Sequence, residues 1–450
     1  MQYPSIFSIL KVGVGPSSSH TLGPLLAARD FRARLEREQP VGAQIQVQLL
    51  GSLARTGKGH LTDLAVTAGL FGQVVDAEER PDLRAVMQVV KSAGRIRIAA
   101  RDYLFAPEHD VVFDTVADCP RHPNTLRCRL LDGEGRTVLE EEYLSIGGGV
   151  VAGGDFPPPP ERLPDDEKPR LTALLDHCLE DSEDLVEQVL DNERTVYDLD
   201  RDTVYRRLGR LWGLMQASID EGLRAGGLLP GRLRLQRRAN HMYVNLLKNI
   251  RQWRMLSQEI TLAAVYAIAV AEENASGERI VTAPTCGSAG VIPAALKVLQ
   301  ERFRLSDERV LDGLVVAGLM GTVVAANASV SGAEHGCQAE VGTASAMAAA
   351  AACQIMGGTV MQVEFAAEMA LEHHLGLTCD PVFGLVQIPC IERNAVGAVT
   401  ALNAANLALL SDGTHRVSFD TAVATLRDVG EDMSPKYKET ALGGLATELR

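Results

Sequence analysis

Residues 156–170 read FPPPPERLPDDEKPR, and this stretch constrains the fold more than any other. Proline fixes φ and lacks a backbone donor, so the stretch can be neither helix interior nor central strand. It reads as a semi-rigid, solvated linker. A chain of 450 residues has room for two or three domains. A boundary at the linker divides it into residues 1–155 and 171–450.

The two sides differ in texture. Before the linker, Gln44–Leu50 and Arg95–Ala99 alternate as half-buried strands do. Leu126–Leu131 and Thr137–Leu144 flank the turn-like DGEGR and read as a hairpin. Thr21–Glu38 and Leu61–Leu70 read as helices, which makes this an α+β pattern. After the linker the strand signals fade. Leu171–Leu190, Arg201–Glu221 and Asn245–Asn274 each read as a helix, followed by long Ala-rich runs broken by Gly and Pro. Small side chains let helices approach closely, which suits a larger all-α domain with a buried central helix. No repeat of solenoid length is present.

Charge and hydropathy narrow the partners. The net charge of −14 disfavours nucleic acid, whose phosphates need Lys and Arg. It also disfavours an anionic membrane surface. Gly313–Ala333 and Val341–Val363 are uncharged and long enough to span a bilayer. They are rich in Ala, Gly, Ser and Thr, however, with Glu334, His335 and Glu340 between them, and they read as buried helices. The N-terminal MQYPSIFSILKVGVGPSSSH has neither the basic region nor the apolar core of a signal peptide, so a cytoplasmic location is expected. Eight cysteines are too sparse for a disulfide framework.

Three of those cysteines stand among loop formers. Cys337 lies in SGAEHGCQAEVG, Cys379 in GLTCDPVFG and Cys390 in QIPCIERN. Three thiolates converging from loops would hold an iron–sulfur cluster or zinc. The plain alternative is a buried small hydrophobe, which is how Cys353 reads in AAAAACQIM. On a 4Fe–4S cluster, three ligands leave one iron without a protein ligand. Such an iron is a Lewis acid, which makes hydroxide a tolerable leaving group. Dehydration of a β-hydroxy acid needs that chemistry.

Three further stretches carry candidate polar groups. In GVGPSSSHTLGP, Ser17, Ser18, Ser19 and Thr21 can cap a helix starting near Leu22. A helix start with clustered hydroxyls binds anions, carboxylates included, and His20 can exchange a proton there. An ordinary cap beside a surface histidine is the alternative. In GSLARTGKGHLTD, His60 is a candidate base and Lys58 an anion partner, unless the stretch is simply a solvated helix start. The phosphate-loop spacing is absent, so no nucleotide site is expected. In VTAPTCGSAGVIPA, Thr285 and Ser288 face a possible anion nest, and Cys286 is placed as a neighbour of the metal rather than a ligand. SIGGGVV, Ser145–Val151, reads as a hinge or a close backbone approach.

Taken together the motifs resemble the single-chain bacterial iron–sulfur L-serine dehydratases. GPSSSHT, TGKGHLTD, SIGGG, AVAEENASGERIVTAPT, EHGCQAEVG, LTCDPVFGLVQIPCIERNAVGA and DVGEDMSPKYKETALGGLA occur in that order over nearly the whole chain. The resemblance implies an α+β domain, similar to the allosteric substrate-binding domain of some phosphoglycerate dehydrogenases, followed by a helical catalytic domain. It implies cluster ligation by Cys337, Cys379 and Cys390, and His60 as base, with His20 the less favoured choice. It places the SSSHT hydroxyls and His20 at the active site. It further implies L-serine as substrate, pyruvate and ammonia as products, and a homodimer.

One departure concerns the C-terminus. Some members have a penultimate cysteine that caps the open iron, whereas this sequence ends GGLATELR with no cysteine after Cys390. Capping through a tail thiolate is therefore not expected. Competing readings are a zinc–thiolate protein, a non-enzymatic amino-acid sensor and a pyridoxal-phosphate dehydratase. The last needs a Schiff-base lysine, and no lysine after residue 170 has a glycine-bounded setting.

Overall fold

The computed structural model describes residues 2–448 apart from 77–80, 118–120, 159–163, 165–167, 182 and 250–257. Cys119 and most of the Pro-rich stretch lie outside the described residues. The strands are β1 Lys11–Val14, β2 Gln44–Leu49, β3 Arg95–Ile98, β4 Arg101–Leu104, β5 Val111–Phe113, β6 Thr125–Leu131, β7 Thr137–Gly147, β8 Val150–Ala152 and β9 Arg279–Thr282.

Strands β2 to β8 form one sheet in the order β3-β4-β2-β6-β7-β8, with β5 also beside β2. The alternation of QIQVQL puts Ile45, Val47 and Leu49 on the buried face of β2. Gly23–Glu38, Thr62–Phe71 and Leu83–Ala93 pack as helices with this sheet through Phe31, Leu35, Val66, Leu70 and Val90. The expected hairpin is β6–β7. Asp132 closes its turn by accepting from the N–H groups of Glu134 and Arg136, and Gly135 supplies a positive φ of 79°.

The C-terminal half is a helical bundle built around Thr343–Ile355. All thirteen residues of that helix are buried, and seven of them are alanine, small enough for neighbouring helices to pack close against it. Asp307–Asn327, Val360–Glu372, Cys390–Leu410 and Val291–Phe303 pack around it. Among the described residues Asp307–Asn327 is the one helix long and apolar enough to cross a membrane, and it is mostly buried in this bundle.

Three sequence expectations need correction. Leu171–Leu190 is not one helix: it divides into Leu171–Asp181 and Leu185–Tyr197, because Asp184 turns out of helical geometry and caps Val186 N–H at 2.7 Å. Asn245–Asn274 likewise falls on two helices, Ala239–Asn249 and Gln258–Ala275, with 250–257 outside the described residues. The helical half also contains a strand, β9, which pairs antiparallel with β1 from Lys11↔Thr282 to Val14↔Arg279.

That pairing has a counterpart in the core. Tyr3, Ile6, Ile9 and Leu10 are buried in the helical half, not with the sheet. Glu193 accepts from Ser5 Oγ and from Ile6 N–H, each at 2.8 Å. The first fourteen residues therefore stitch the α+β half to the helices.

Overpacking the central helix is the direct test of this core. Ala348→Leu, at a position with no exposure, is expected to destabilise by about 1–3 kcal/mol. A denaturant midpoint matching wild type would show that the helix is less tightly enclosed.

Candidate active site

The three loop cysteines come together. Cys337 follows the short helical turn Gly332–His335, Cys379 lies in an extended segment, and Cys390 begins the helix Cys390–Leu410. All three are buried. They line one cavity with His60, Ser17 and Glu439. The Sγ atoms of Cys337 and Cys379 and a carboxylate oxygen of Glu340 lie within 4.8 Å of one another. Gln338 ties the first two segments: its N–H donates to Leu377 O and its Oε1 accepts from Gly376 N–H.

Charge is concentrated around these sulfurs. Arg393, one turn into the third helix, donates to Thr378 O at 2.6 Å and to Asp380 Oδ1 at 3.3 Å. A hydrogen bond from Cys379 draws the Cys337 thiol down to about 6 against its burial, with Arg393 helping. Cys379 is pushed up in return, and burial pushes up Cys390. Burial and then Cys337 also raise the Glu340 carboxyl. Three thiolates cannot all be charged in so small a space without a cation among them.

The donor set and its surroundings fit a metal group. A Cβ on Gly332 would stand 2.6 Å from Glu340 Oε2 and 3.2 Å from Cys379 Sγ, so any side chain there would fill the space between the ligands. Soft sulfur donors select iron–sulfur, zinc or copper(I) over hard cations. Cys353 is buried inside the Thr343–Ile355 helix, away from this cavity, as the plain reading expects. Cys286 packs against Ser18: Ser18 Oγ accepts from its N–H at 2.8 Å and lies 3.2 Å from its sulfur.

The histidines come from the α+β half. Ser17 caps the turn that carries His20, accepting from His20 N–H at 3.2 Å. Two hydroxyls then lock the His20 and His60 segments reciprocally. Thr21 Oγ1 donates to His60 O at 2.7 Å, and Thr62 Oγ1 donates to His20 O at 2.6 Å. The two rings lie 4.5 Å apart, centroid to centroid.

Hydrogen-bond partners assign the ring protons. His60 Nδ1 lies 3.0 Å from Thr56 O, which only accepts, so Nδ1 carries a proton. Its Nε2 is then left with a lone pair in the neutral ring. That atom is buried without a hydrogen-bond partner, and Glu439 Oε1 lies 3.4 Å away. Ser52 Oγ spends its proton on Glu439 O at 3.0 Å, so at 3.0 Å from His20 Nε2 it accepts. His20 Nδ1 then accepts from Ser19 Oγ at 2.9 Å. Burial, with His60 adding to it against the pull of Glu439, lowers His20 to about 4 and keeps it neutral.

The other expected residues sort by position. Thr285 Oγ1 donates to Glu340 Oε1 at 2.8 Å, while Ser288 Oγ turns back to Ala283 O at 3.1 Å. Lys58 is not brought to the site. Its side chain is 74% exposed, 3.7 Å from Asp63 and over the Phe113 ring. The reason is the neighbouring Gly59, where a Cβ would come 2.4 Å from Gly384 O. That contact seats the turn so that His60 points in and Lys58 out. The SIGGG stretch is a close approach: a Cβ on Gly147 would meet Ser331 Cβ at 2.9 Å, and Ser145 Oγ donates to Ser19 O.

Sequence reasoning did not single out Arg393, Glu340, Asn394, Ser52 or Glu439. Four of them stand in stretches that also carry other candidates, CIERN, CQAEVG and GSLARTGKGH, and Glu439 in KYKET. Asn394 joins the third cysteine to the Thr285 loop, donating to Cys390 O and Gly287 O and accepting from Gly290 N–H.

Comparison with known proteins matches the two halves of the chain to separate families. Residues 5–155 match the serine dehydratase beta chain family, and residues 180–446 match the serine dehydratase alpha chain family. The chain belongs to the serine dehydratase family. Over 99% of both chains it is 43% identical to a protein of Streptomyces coelicolor named L-serine dehydratase. Over the same share it is 38% identical to the L-serine dehydratase of Haemophilus influenzae and 37% identical to L-serine dehydratase 2 of Escherichia coli.

The reciprocal lock gives this serine dehydratase family member a stability test. Thr21→Val leaves the buried His60 carbonyl without its donor and is expected to cost about 1–3 kcal/mol. Scanning calorimetry reads it as a lowered melting temperature. An unchanged melting temperature would mean that the two histidine segments are held by other contacts.

Proposed function

We propose that this protein is an L-serine ammonia-lyase, converting L-serine to pyruvate and ammonia at a 4Fe–4S cluster held by Cys337, Cys379 and Cys390. The observation that carries the reading is the meeting of three buried thiols with an unpartnered histidine nitrogen in one cavity. The relatives named L-serine dehydratase support the substrate. Residues 1–155 form the part that brings the histidines, and residues 171–450 the part that brings the cysteines, joined by the Pro-rich linker. A cytoplasmic homodimer is part of the same reading.

A cluster bound by three cysteines would supply Lewis acidity at the substrate hydroxyl, through the iron that has no fourth protein ligand. The protein's own groups do the rest. Ser17 and the Gly287 backbone border the cavity and are placed to meet the substrate carboxylate. Thr21, Ser18 and Ser288 already spend their hydroxyls on the cavity wall, so their part is to hold its shape. His60 Nε2 takes the α-proton, because His60 Nδ1 is fixed as donor and both nitrogens of His20 are engaged. The Cα–H electron pair forms the double bond as the C–O bond breaks. The hydroxyl leaves as water with the proton from His60. The aminoacrylate tautomerises to an imine, and water hydrolyses it to pyruvate and ammonia. A dry cavity protects the α-carbanion character from stray protonation.

Anaerobic purification followed by iron, sulfide and zinc analysis and a pyruvate assay on L-serine tests this. Wild type is expected to hold iron and sulfide and to release pyruvate. Cys379→Ala is expected to lose both, while Cys353→Ala keeps both. Iron-free protein after anaerobic reconstitution, or zinc in its place, would overturn the cluster. Tight serine binding with no pyruvate would favour a sensor.

A further inference from the structure

Glu439 has no part in the reaction set out above, yet its side chain lines the cavity and its backbone is hydrogen-bonded on both sides. It is 5% exposed. Its Oε1 lies 3.4 Å from His60 Nε2 and 3.6 Å from His20 Nδ1. Resting on the proposed lyase reaction, we infer that Glu439 is the positioning residue of the base, its carboxylate holding the His60 imidazolium that forms when the α-proton is taken.

The geometry of His60 makes a partner necessary. Nδ1–H is fixed to Thr56 O, so the incoming proton must settle on Nε2, the atom that faces Glu439. His60 is fully buried, and a buried cation without a counter-charge is costly. Glu340 carries the other carboxylate of the cavity, but Thr285 Oγ1 holds its Oε1 on the sulfur side. His20 does not compete for Glu439 by donation, since its one proton goes to Ser52. In the present arrangement the Glu439 contact, at 3.4 Å, does not meet hydrogen-bond geometry at Nε2.

The backbone is shaped to deliver this carboxylate. Glu439 has a left-handed φ of 55°, which non-glycine residues rarely adopt. Its N–H donates to Cys379 O at 2.8 Å, and Cys379 N–H donates to Tyr437 O at 2.8 Å. Its own carbonyl accepts from Ser52 of the α+β half. Further along, Leu445 N–H donates to Asp380 Oδ2 at 2.7 Å. A strained residue fixed from both halves of the molecule fits a functional placement rather than a filler. It also means that the segment paired with the Cys379 backbone presents the partner of the base. The Cα–H bond breaks and an N–H bond forms on Nε2. Glu439 gains no proton and forms no covalent bond.

The test uses anaerobically prepared holoenzyme with L-serine and with 2-deuterated L-serine. Glu439→Gln keeps the shape and removes the charge. It is expected to lower kcat about a hundredfold or more while KM moves less than about threefold. Iron and sulfide content should stay at the wild-type level. The primary isotope effect on kcat should rise, because proton abstraction becomes more rate-limiting. Glu439→Asp should recover part of the loss. A Gln variant with kcat near wild type would overturn the inference. So would a rise in KM alone, or a loss of iron from both variants, which would make the segment a structural strap. Wild-type holoenzyme that makes no pyruvate would instead remove the lyase reading itself, and it shows this before any variant is made.

Discussion

The site exists only where the two halves of the chain are docked. The cysteines belong to the helical half and the histidines to the α+β half, so neither half holds the chemistry alone. The β1–β9 pairing fixes that docking, with Thr282 Oγ1 donating to Ile9 O beside it. Tyr3, Ile6, Ile9 and Leu10 bury themselves in the helical core and anchor the near end of β1. From there the chain passes directly into the Ser17–Thr21 turn. His20 lies only six positions after Val14, the end of the strand, so the position of that histidine follows from the position of β1.

Electrostatics then sets what the docked site must contain. Three sulfurs, two carboxyls and the His60 imidazole line the cavity, with His20 against His60 and the Arg393 guanidinium beside the sulfurs. Arg393 is spent partly on Asp380 and Thr378, so it cannot neutralise all the thiolates. The hydrogen bond with Cys337 and burial push Cys379 up, and burial and then Cys337 push Cys390 up. A cationic metal group would relieve that conflict. The histidine side is balanced differently. His20 stays neutral between two serines, and the Glu439 carboxylate faces the one nitrogen with a free lone pair.

Much of this was legible in the sequence, and the misses share a cause. Strands β2 and β3 announced themselves because their period-two patterns face a one-sided core, and β6 and β7 because they flank the turn-like DGEGR. The three cysteines stood out because Gly, Pro and Asp surround them. Strand β9 did not, because RIVT is short and its partner lies some 270 residues away, a pairing that no local pattern records. Lys58 and His60 looked equivalent on one glycine-rich turn, and only the contact of Gly59 with Gly384 decides which points inward. Glu439 was invisible for a similar reason. An acidic residue in KYKET reads as solvated surface until the Cys379 backbone draws the segment in.

The central claim is that Cys337, Cys379 and Cys390 surround one iron-containing centre beneath His60. Crystals grown without oxygen, with diffraction recorded on both sides of the iron absorption edge, test it most directly. The account predicts an anomalous peak within bonding reach of all three sulfurs and on the side of the cavity facing His60 Nε2. A peak lying instead among His20, His60 and Glu439, or bonded to fewer than three of these cysteines, would contradict it.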